Sequence, residues 1–393
     1  MVASISARGG AQAALGYYAH LSADNYYTRG SEPPGRWAGA AADRLSLDGP
    51  VTQSEFEATL NGRDPKTGEA LVQINGRDHA AGWDMTFSAP KSVSVLWALS
   101  DESQREAIEQ SHRAAVEAAT RHLEQNAAWT RRGAGSRVRE PTAGLLVAQF
   151  DHHTSRESDP QLHTHSFIFN LAPRRDGSWG SIVSRELYQA QKGAGAIYRN
   201  ELARGLERQG YQLDRQADGF RVRVIPRKLE QEFSKRRRAI EEAARTHGYN
   251  SPKGMELAAL RTRRPKHSAN LTEQFKSWAA EAKSLGFELS REQQAESRAL
   301  AASNDNQLAA RCPLEKASAP TVNATSPSRT AARASQASKA QLSPAELGSR
   351  LGAAFLSLDA PSSGGSLSVA LRDSSKGPVT KPSLDHSREY EAE

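Results

Sequence analysis

Cysteine is almost absent from this sequence, since Cys312 is the only one among 393 residues. A single thiol excludes an intramolecular disulfide framework and any zinc module built from several cysteines. Long apolar runs are also missing: no stretch of about 18 apolar residues occurs, which excludes a transmembrane helix. The first ten residues lack the apolar core of a secretory signal. These absences predict a cytoplasmic protein without membrane insertion.

A nucleotide-binding loop is missing as well. The P-loop of ATP-driven motors requires Gly-Lys followed by Ser or Thr, and the sequence contains no Gly-Lys dipeptide. We therefore expect no ATPase or helicase motor in these residues.

Aromatic residues become rare toward the end of the chain. After about residue 300 only Phe355 and Tyr390 remain, and Ala and Ser dominate. Such a segment buries too little apolar surface to offset ~1–2 kcal/mol of backbone entropy per residue. We predict a folded domain over 1–295 and a low-complexity, mostly disordered tail over 296–393.

The charge is mildly basic and unevenly distributed. Lys and Arg number 52 against 45 Asp and Glu, a formal charge of +7. Residues 201–300 contain 21 basic and 14 acidic residues, which accounts for the whole excess. The run Lys235 to Arg238 is either a solvated helix face or a nucleic-acid contact, and the sequence leaves both open.

Hydrophobic periodicity predicts strands alternating with long helices. Ser103–Gln125 has apolar residues at helical spacing, together with His112, on one face. Further helices are predicted over Leu187–Leu206 and Arg227–Thr246, and strands over Gly144–Phe150 and Leu162–Leu171. The segment Thr86–Leu99 begins extended and carries the alternating apolar residues Val93, Val95 and Trp97. The pattern favours a sheet covered by helices, of the α/β or α+β class.

Three histidines follow one another closely in two predicted strands. His163 and His165 are two residues apart on a strand, so both project from the same face. The preceding strand ends near His152, and the Asp-Pro loop after it returns the chain antiparallel. Three imidazoles with open coordination positions are typical of a catalytic metal site. Nitrogen ligands suit Zn²⁺, Mn²⁺, Ni²⁺ or Cu²⁺ better than Mg²⁺.

Four of the nine tyrosines lie within eleven residues, as two adjacent pairs: Tyr17 and Tyr18, then Tyr26 and Tyr27. Helix packing and turn chemistry explain an isolated pair, whereas two pairs in a chain with a predicted metal site suggest nucleophiles. A phenol has a pKa of ~10 and needs help to lose its proton at neutral pH.

A third segment, from Gly82 to Ser94, contains two charged candidates. Asp84 precedes a strand-like Thr-Phe and is either a solvent-exposed turn residue or the acceptor that orients a ligand histidine. Lys91 is either a surface lysine or a phosphate contact.

Together these segments resemble the conjugative relaxases of the TrwC/TraI type, the MobF class. The matching pieces are the tyrosine pairs at 17–18 and 26–27, the string from Asp84 to Ser94, and the string from His152 to His165. Similar strings continue at 176–179, 195–203 and 210–213, so the resemblance covers about 1–290 in consistent order. The family implies an α+β fold of the HUH type, an antiparallel sheet flanked by helices.

The resemblance also implies roles for the residues that match. Tyr17 corresponds to the first nicking tyrosine, and Tyr26 opens the pair that serves a later strand transfer. His152, His163 and His165 correspond to the metal triad, with Asp84 beside it as general base or orienting residue. His153 lies where the motif varies and is excluded from the triad.

From the family we further expect metal-dependent nicking of one strand at a plasmid transfer origin, through a 5′-phosphotyrosyl intermediate. Mg²⁺ or Mn²⁺ is the expected ion, with Zn²⁺, Ni²⁺ and Cu²⁺ compatible. Expected partners are single-stranded and hairpin DNA, other relaxosome proteins, a separate helicase and a coupling protein. Guessed DNA contacts are Lys91, Arg137, Arg139 and Arg156.

Other functions remain open from the sequence. A rolling-circle replication initiator shares the HUH chemistry, but such proteins usually carry their tyrosines after the histidine motif. A non-catalytic origin-binding protein would keep the basic surface alone. A three-histidine zinc hydrolase would leave the tyrosine pairs without a role.

Overall fold

The computed structural model describes residues 3–11, 14–15, 33–72, 80–133, 137–263 and 270–289. All of them belong to one compact unit. The tail over 296–393 and the boundary at 295 lie outside the described residues and stay predictions.

Strands and helices are both distributed through these ranges, in runs of one to six elements of the same kind. The strands are β1 (Ala3–Arg8), β2 (Arg36–Ala38), β3 (Gly82–Ser88), β4 (Trp129–Arg132), β5 (Val138–Pro141), β6 (Val147–Thr154), β7 (Pro160–Phe169), β8 (Ala172–Pro173), β9 (Trp179–Gly180), β10 (Leu213–Gln216) and β11 (Gly219–Val222). The helices are α1 (Ala40–Arg44), α2 (Gln53–Leu60), α3 (Lys91–Leu99), α4 (Glu102–Asn126), α5 (Ser184–Arg208), α6 (Arg227–Glu232), α7 (Lys235–Thr246), α8 (Pro252–Arg261) and α9 (Leu271–Ser284).

A five-stranded sheet organises the described residues, in the order β1-β3-β7-β6-β2. Every neighbouring pair in it is antiparallel, and β7 lies at its centre between β3 and β6. The remaining strands pair two by two into β4-β5, β8-β9 and β10-β11 ribbons. The predicted α+β class, an antiparallel sheet flanked by helices, is confirmed.

Each face of the sheet buries its own apolar cluster. On one face, Trp83, Met85 and Phe87 of β3 pack with buried residues of α3, α4 and α5. On the other face, Phe56 of α2 packs against three phenylalanine rings of β6 and β7. Its ring centroid lies 5.7, 5.5 and 5.2 Å from those of Phe150, Phe167 and Phe169. Side-chain alternation along β6 and β7 therefore decides which cluster each residue joins.

Two long helices match their predictions. The helix predicted over 103–125 is α4, and Ile108, His112 and Leu123 on its apolar face are all buried. Its first turn is capped by Asp101, whose side chain accepts a hydrogen bond from the Gln104 N–H. The helix predicted over 187–206 is α5. None of the described helices is long and apolar enough to cross a bilayer.

The segment predicted over Thr86–Leu99 begins extended, as expected, in the last residues of β3, but the alternating Val93, Val95 and Trp97 are not on a strand, because they belong to α3. Their period of two misleads because the helix is enclosed on all sides: every residue from 92 to 98 is buried. The intervening serines are small and find partners, since Ser92 and Ser94 accept hydrogen bonds from the backbone N–H groups of Val222 and Leu162. A fully buried helix carries no amphipathic signal.

The single helix predicted over 227–246 is also wrong in detail. It is divided into α6 and α7 at residues 233–234, where the Phe233 side chain is completely buried. Of the predicted strands, 144–150 begins later, as β6, and 162–171 begins earlier, as β7.

Phe56 offers a test of the second cluster. We expect Phe56→Ala to lower the free energy of unfolding by about 3–5 kcal/mol, because it removes the ring that three phenylalanines contact. Urea unfolding followed by circular dichroism measures the change. Leu257→Ala on α8 is the control, since this leucine is 42% exposed, and it should cost less than about 0.5 kcal/mol. Equal losses in the two variants would contradict the cluster.

Candidate active site

The three histidines meet through the register of two neighbouring strands. In the antiparallel pair β6-β7, His152 lies directly opposite His163, and Phe150 lies opposite His165. Because His163 and His165 are two residues apart, both face the same side of the sheet as His152. The register shifts immediately after His152, at a bulge before Thr154.

The three imidazole rings are nearly equidistant. Their centroids lie 5.2 Å (152 to 163), 5.2 Å (152 to 165) and 5.3 Å (163 to 165) apart. An ion lies ~2.0–2.1 Å from a ligating imidazole nitrogen, so three rings around one tetrahedral ion have centres about 5 Å apart. The observed spacing therefore suits three nitrogen ligands of one metal ion.

The rings are at ligand spacing, but their side chains are not arranged as a complete set of metal ligands. Among the described residues, no group of three or more His, Cys, Asp or Glu side chains is arranged to hold a metal ion as it stands. The tautomer of one ring is fixed, since His163 Nδ1 lies 2.9 Å from the carbonyl oxygen of Gln161, so Nδ1 carries the proton and Nε2 the lone pair.

Asp84, on β3, fixes the orientation of the His165 ring. Its carboxylate oxygens lie 2.9 and 3.0 Å from His165 Nδ1, and the hydroxyl of Thr86 lies 3.0 Å from the same nitrogen. Thr86 is the direct neighbour of His165 in the β3-β7 register. A carboxylate that accepts the Nδ1–H holds the tautomer in which Nε2 carries the lone pair.

Asp84 is itself buried and charged. Its side chain is 1% exposed and forms an ion pair with Arg8 of β1. Burial alone raises the pKa of Asp84, but the charges and hydrogen bonds of His165 and Arg8 outweigh it and hold the pKa below its ordinary value. Asp84 is therefore a carboxylate at neutral pH, not a solvent-exposed turn residue.

Arg8 is a site residue that sequence reasoning missed. It lies on β1, which pairs with β3 so that Ser6 is opposite Asp84. Nothing in the N-terminal string distinguishes it from any other arginine, since the contact to Asp84 spans 76 residues. Only the topology, which brings β1 beside β3, reveals it.

His153 lies away from the three rings. It stacks on Trp97 of α3 with centroids 5.0 Å apart and an interplanar angle of 6°. Its Nε2 is 3.5 Å from Glu109 Oε1, and the same glutamate oxygen accepts a 2.9 Å hydrogen bond from Trp97 Nε1. His153 thus belongs to the packing between the sheet and helices α3 and α4.

The turn between β6 and β7 is fastened to the C-terminal helices. Ser158 has a φ of +58°, in the left-handed region, and its carbonyl accepts a 2.9 Å hydrogen bond from Trp278 Nε1 of α9. The next residue, Asp159, is completely buried and accepts a hydrogen bond from the backbone N–H of Arg236. Both contacts hold the ends of the histidine-bearing strands in place.

All four tyrosines of the predicted pairs, Tyr17, Tyr18, Tyr26 and Tyr27, lie outside the described residues. Their predicted roles as nucleophiles stay predictions.

The guessed DNA contacts differ in their surroundings. Lys91 is half-buried, and its Nζ donates to the carbonyl oxygen of Pro160 at 2.9 Å. Arg139 forms a 2.7 Å ion pair with Glu186, whereas Arg137 is exposed beside the β5 strand and Arg156 lies in the turn after β6. Lys91 is thus engaged within the protein.

The basic run at the start of α7 is also engaged. Lys235 pairs with Glu281, Arg237 with Glu241 and Arg238 with Glu232, while Arg236 donates to carbonyl oxygens near the end of α8. Three of these four residues thus have a carboxylate partner, and both readings of the run, a solvated helix face and a nucleic-acid contact, stay open.

Comparisons of this chain with known proteins agree on one family of relatives. The family model described as TrwC relaxase matches residues 11–285. The multifunctional conjugation protein TraI of Escherichia coli is 33% identical over 276 residues, which is 68% of this chain. The chain spans only 15% of the length of that relative.

Solved structures agree in fold. A copper-bound structure of the conjugative relaxase TrwC in complex with oriT DNA has a TM-score of 0.64 and 32% identity, and the match covers 73% of this chain and all of that one. TrwC complexed with a 27-mer DNA comprising the recognition hairpin and the cleavage site gives 0.64 and 31% at the same coverage.

Lys91 generates a prediction about pH. Burial lowers the pKa of Lys91 from its ordinary value of 10.5 to about 8, against the opposing attraction of Asp159 and Glu230. Between these two values the unfolded chain binds a proton that the folded protein has released, so folding becomes more favourable as the pH rises. Lys91→Met should remove this gain, which is at most about 1.4 kcal/mol per pH unit.

Urea unfolding of both proteins at pH 7.5, 9.0 and 10.0 measures the effect. The difference in unfolding free energy, parent minus variant, should increase with pH. Lys228→Met, at an exposed position, is the matched control. A difference that stays constant from pH 7.5 to 10.0 would contradict the burial of the Lys91 ammonium.

Proposed function

The chain belongs to the TrwC relaxase family, and we propose that it nicks one DNA strand at a plasmid transfer origin during conjugation. The observation that carries the proposal is the set of three histidine rings 5.2–5.3 Å apart, one of them held by the buried Asp84. TrwC has been solved with oriT DNA, which supports the same class of substrate here. The remaining functions of the much longer TraI are not part of the proposal.

A divalent metal ion is part of the proposed site. His152, His163 and His165 would hold it through ring nitrogens. When bound, the ion supplies positive charge that polarises a phosphate oxygen of the DNA. Mg²⁺ or Mn²⁺ is the proposed ion in use, and the copper-bound TrwC structure supports the capacity of such sites for softer ions.

Asp84 acts as an orienting residue and not as the general base. A general base works best when its pKa is near the operating pH, whereas the pKa of Asp84 lies below even its ordinary value. Both carboxylate oxygens also lie within hydrogen-bond distance of His165, and Arg8 pairs with one of them. Its role is to hold the His165 ring with Nε2 toward the site.

Tyr17 is the proposed nucleophile. Its phenolic oxygen attacks the scissile phosphorus in line, a Tyr–O–P bond forms, and the bond from phosphorus to the 3′ oxygen breaks. The phenolic proton passes to solvent and the departing 3′ oxygen gains one, which leaves a 5′-phosphotyrosyl protein and a free 3′-hydroxyl. One ester replaces another, so the step is reversible and the same site rejoins ends.

The second tyrosine pair serves a second transfer. Tyr26 and Tyr27 follow the first pair by nine residues, so an unreacted phenol is available while Tyr17 is esterified. Tyr18 is the direct neighbour of the first nucleophile. This arrangement allows two successive exchanges without releasing the DNA end.

The proposed partner is single-stranded DNA leading from a hairpin. The TrwC complex with a hairpin and cleavage site supports this arrangement. Arg137, Arg139 and Arg156 are the proposed phosphate contacts, with a salt-dependent affinity. Other relaxosome proteins, a helicase and a coupling protein are proposed to act with the chain in the cytoplasm.

Replacing Tyr17 tests the proposal directly. Incubation with an origin oligonucleotide and Mn²⁺ should give a covalent DNA–protein adduct on a denaturing gel. Tyr17→Phe should lower the initial rate of adduct formation at least about 100-fold, because the attacking oxygen is lost. Tyr188→Phe, at an exposed position on α5, is the matched control and should match the parent. Full adduct yield from Tyr17→Phe would disprove the nucleophile, and cleavage that survives a chelator would disprove the metal.

Replacing Asp84 separates the orienting role from a role as base. Asp84→Asn keeps an oxygen that accepts from His165 but loses the charge. We expect metal affinity to fall ~10- to 100-fold, with adduct formation returning toward the parent rate at saturating Mn²⁺. Asp214→Asn, which removes another arginine-paired carboxylate, should change neither quantity. A rate defect in Asp84→Asn that no metal concentration restores would support the base instead.

A further inference from the structure

A chain of buried hydrogen bonds lies behind the three histidines, on the opposite face of the sheet. Tyr198 Oη of α5 is 2.7 Å from His112 Nδ1 of α4, and His112 Nε2 is 2.8 Å from Thr164 Oγ1 of β7. Thr164 Oγ1 in turn donates to Asp151 Oδ1 of β6 at 2.6 Å. All four residues are buried, and Thr164 and Tyr198 are fully so. The proposed reaction uses none of them.

The direction of every hydrogen bond in this chain follows from its last member. Two arginines, Arg36 and Arg113, form ion pairs with Asp151 at 2.5 and 3.0 Å, so its carboxylate accepts hydrogen bonds and donates none. The Thr164 hydroxyl must donate to it and is then free to accept from His112 Nε2–H. His112 Nδ1 accordingly accepts from the Tyr198 hydroxyl.

The neutral imidazole that this order requires agrees with its surroundings. Burial lowers the pKa of His112 to about 4, with Asp151 opposing the shift, so at neutral pH the ring carries one N–H. The two inner members, His112 and Thr164, thus each have one defined partner on each side, and such a satisfied buried network favours a single geometry.

The chain reaches the strands at the positions that flank the metal-site histidines. Thr164 lies between His163 and His165, and Asp151 directly precedes His152. Thr164 and Asp151 are also opposite each other in the β6-β7 register. Their side-chain hydrogen bond therefore joins the two strands at the same level as the three rings, on the other face.

The regular backbone pairing of β6 with β7 ends at this level. The register shifts just beyond His152, at the bulge before Thr154. A slip of one residue would turn the histidines to the opposite face of the sheet. A buried side-chain bond immediately before the bulge opposes such a slip.

We propose that Thr164, supported by His112 and Tyr198, is a positioning residue that holds the three histidines at ligand spacing. The inference rests on the proposed metal at these histidines. It adds that the preorganisation of the site comes from the opposite face of the sheet. Asp84 fixes one ring, whereas the Thr164 chain fixes the two strands relative to each other.

Metal affinity without DNA tests the inference. Ni²⁺ is titrated calorimetrically into the metal-free protein, because nitrogen ligands bind it strongly. Thr164→Val keeps the shape of the side chain but can neither donate to Asp151 nor accept from His112, and should weaken Ni²⁺ binding ~10-fold or more. Thr164→Ser keeps the hydroxyl and should bind close to the parent affinity. Tyr198→Phe, which removes the most distant hydroxyl, should have a smaller effect than Thr164→Val.

A matched variant separates positioning from general destabilisation. Thr130 is completely buried and donates to the carbonyl oxygen of Ser181 at 2.8 Å, far along the chain from the histidines. Thr130→Val should lower the unfolding temperature in a chelator about as much as Thr164→Val, yet leave Ni²⁺ affinity unchanged. Parent-like affinity in Thr164→Val, or equal weakening in Thr130→Val, would overturn the inference.

Two further outcomes have defined meanings. Thr164→Val is uninformative if it lacks a cooperative unfolding transition, and Tyr198→Phe then decides, because it keeps the ring that packs on Phe87. An unchanged Ni²⁺ affinity in Tyr198→Phe would overturn the inference. Adduct formation by the parent protein is measured on the same preparations. Failure of that assay with Ni²⁺ binding intact counts against the proposed nicking function alone, whereas the ranking of the variants tests the positioning role.

Discussion

The antiparallel register between β6 and β7 is the constraint on which the site depends. It places His152 opposite His163, and alternation along β7 then adds His165 on the same face. The same register sets Asp151 against Thr164 on the reverse face. A change of one residue would send the histidines into the apolar cluster beneath α4 and bring buried threonine and serine into the site. One pairing choice therefore determines both faces at once.

Buried charge has a specific use in this fold. Asp84 and Asp151 are both almost inaccessible, and each is paired with arginine: Arg8 for the first, Arg36 and Arg113 for the second. Such pairs gain little net stability, because removing the charges from water costs about as much as their attraction returns. Breaking either pair is costly, however, so each one excludes alternative arrangements of its strands. The central strands are thus held by polar contacts that tolerate few geometries.

The sequence predicts those parts of the site that repeat a local pattern. The His-x-His spacing, the turn that joins the strands and the amphipathic α4 are all short-range features, and the structure agrees with each. Arg8 and His112 could not be predicted as site-related residues, because their contacts to Asp84 and Thr164 cross 76 and 52 residues. The buried helix α3 escapes prediction because its small serines, which accept from distant backbone N–H groups, alternate with apolar residues at the period of a strand.

The connectivity of the sheet has a consequence for the order in which the protein folds. The three histidines belong to one hairpin within fourteen residues of chain, 152–165, so they can come together by closing a short loop soon after that segment is synthesised. The strands that complete the site, β1 and β3, are made long before and must wait for β7 before the sheet is whole. The short connection therefore allows the ion-binding hairpin to close before the older strands β1 and β3 pair with it.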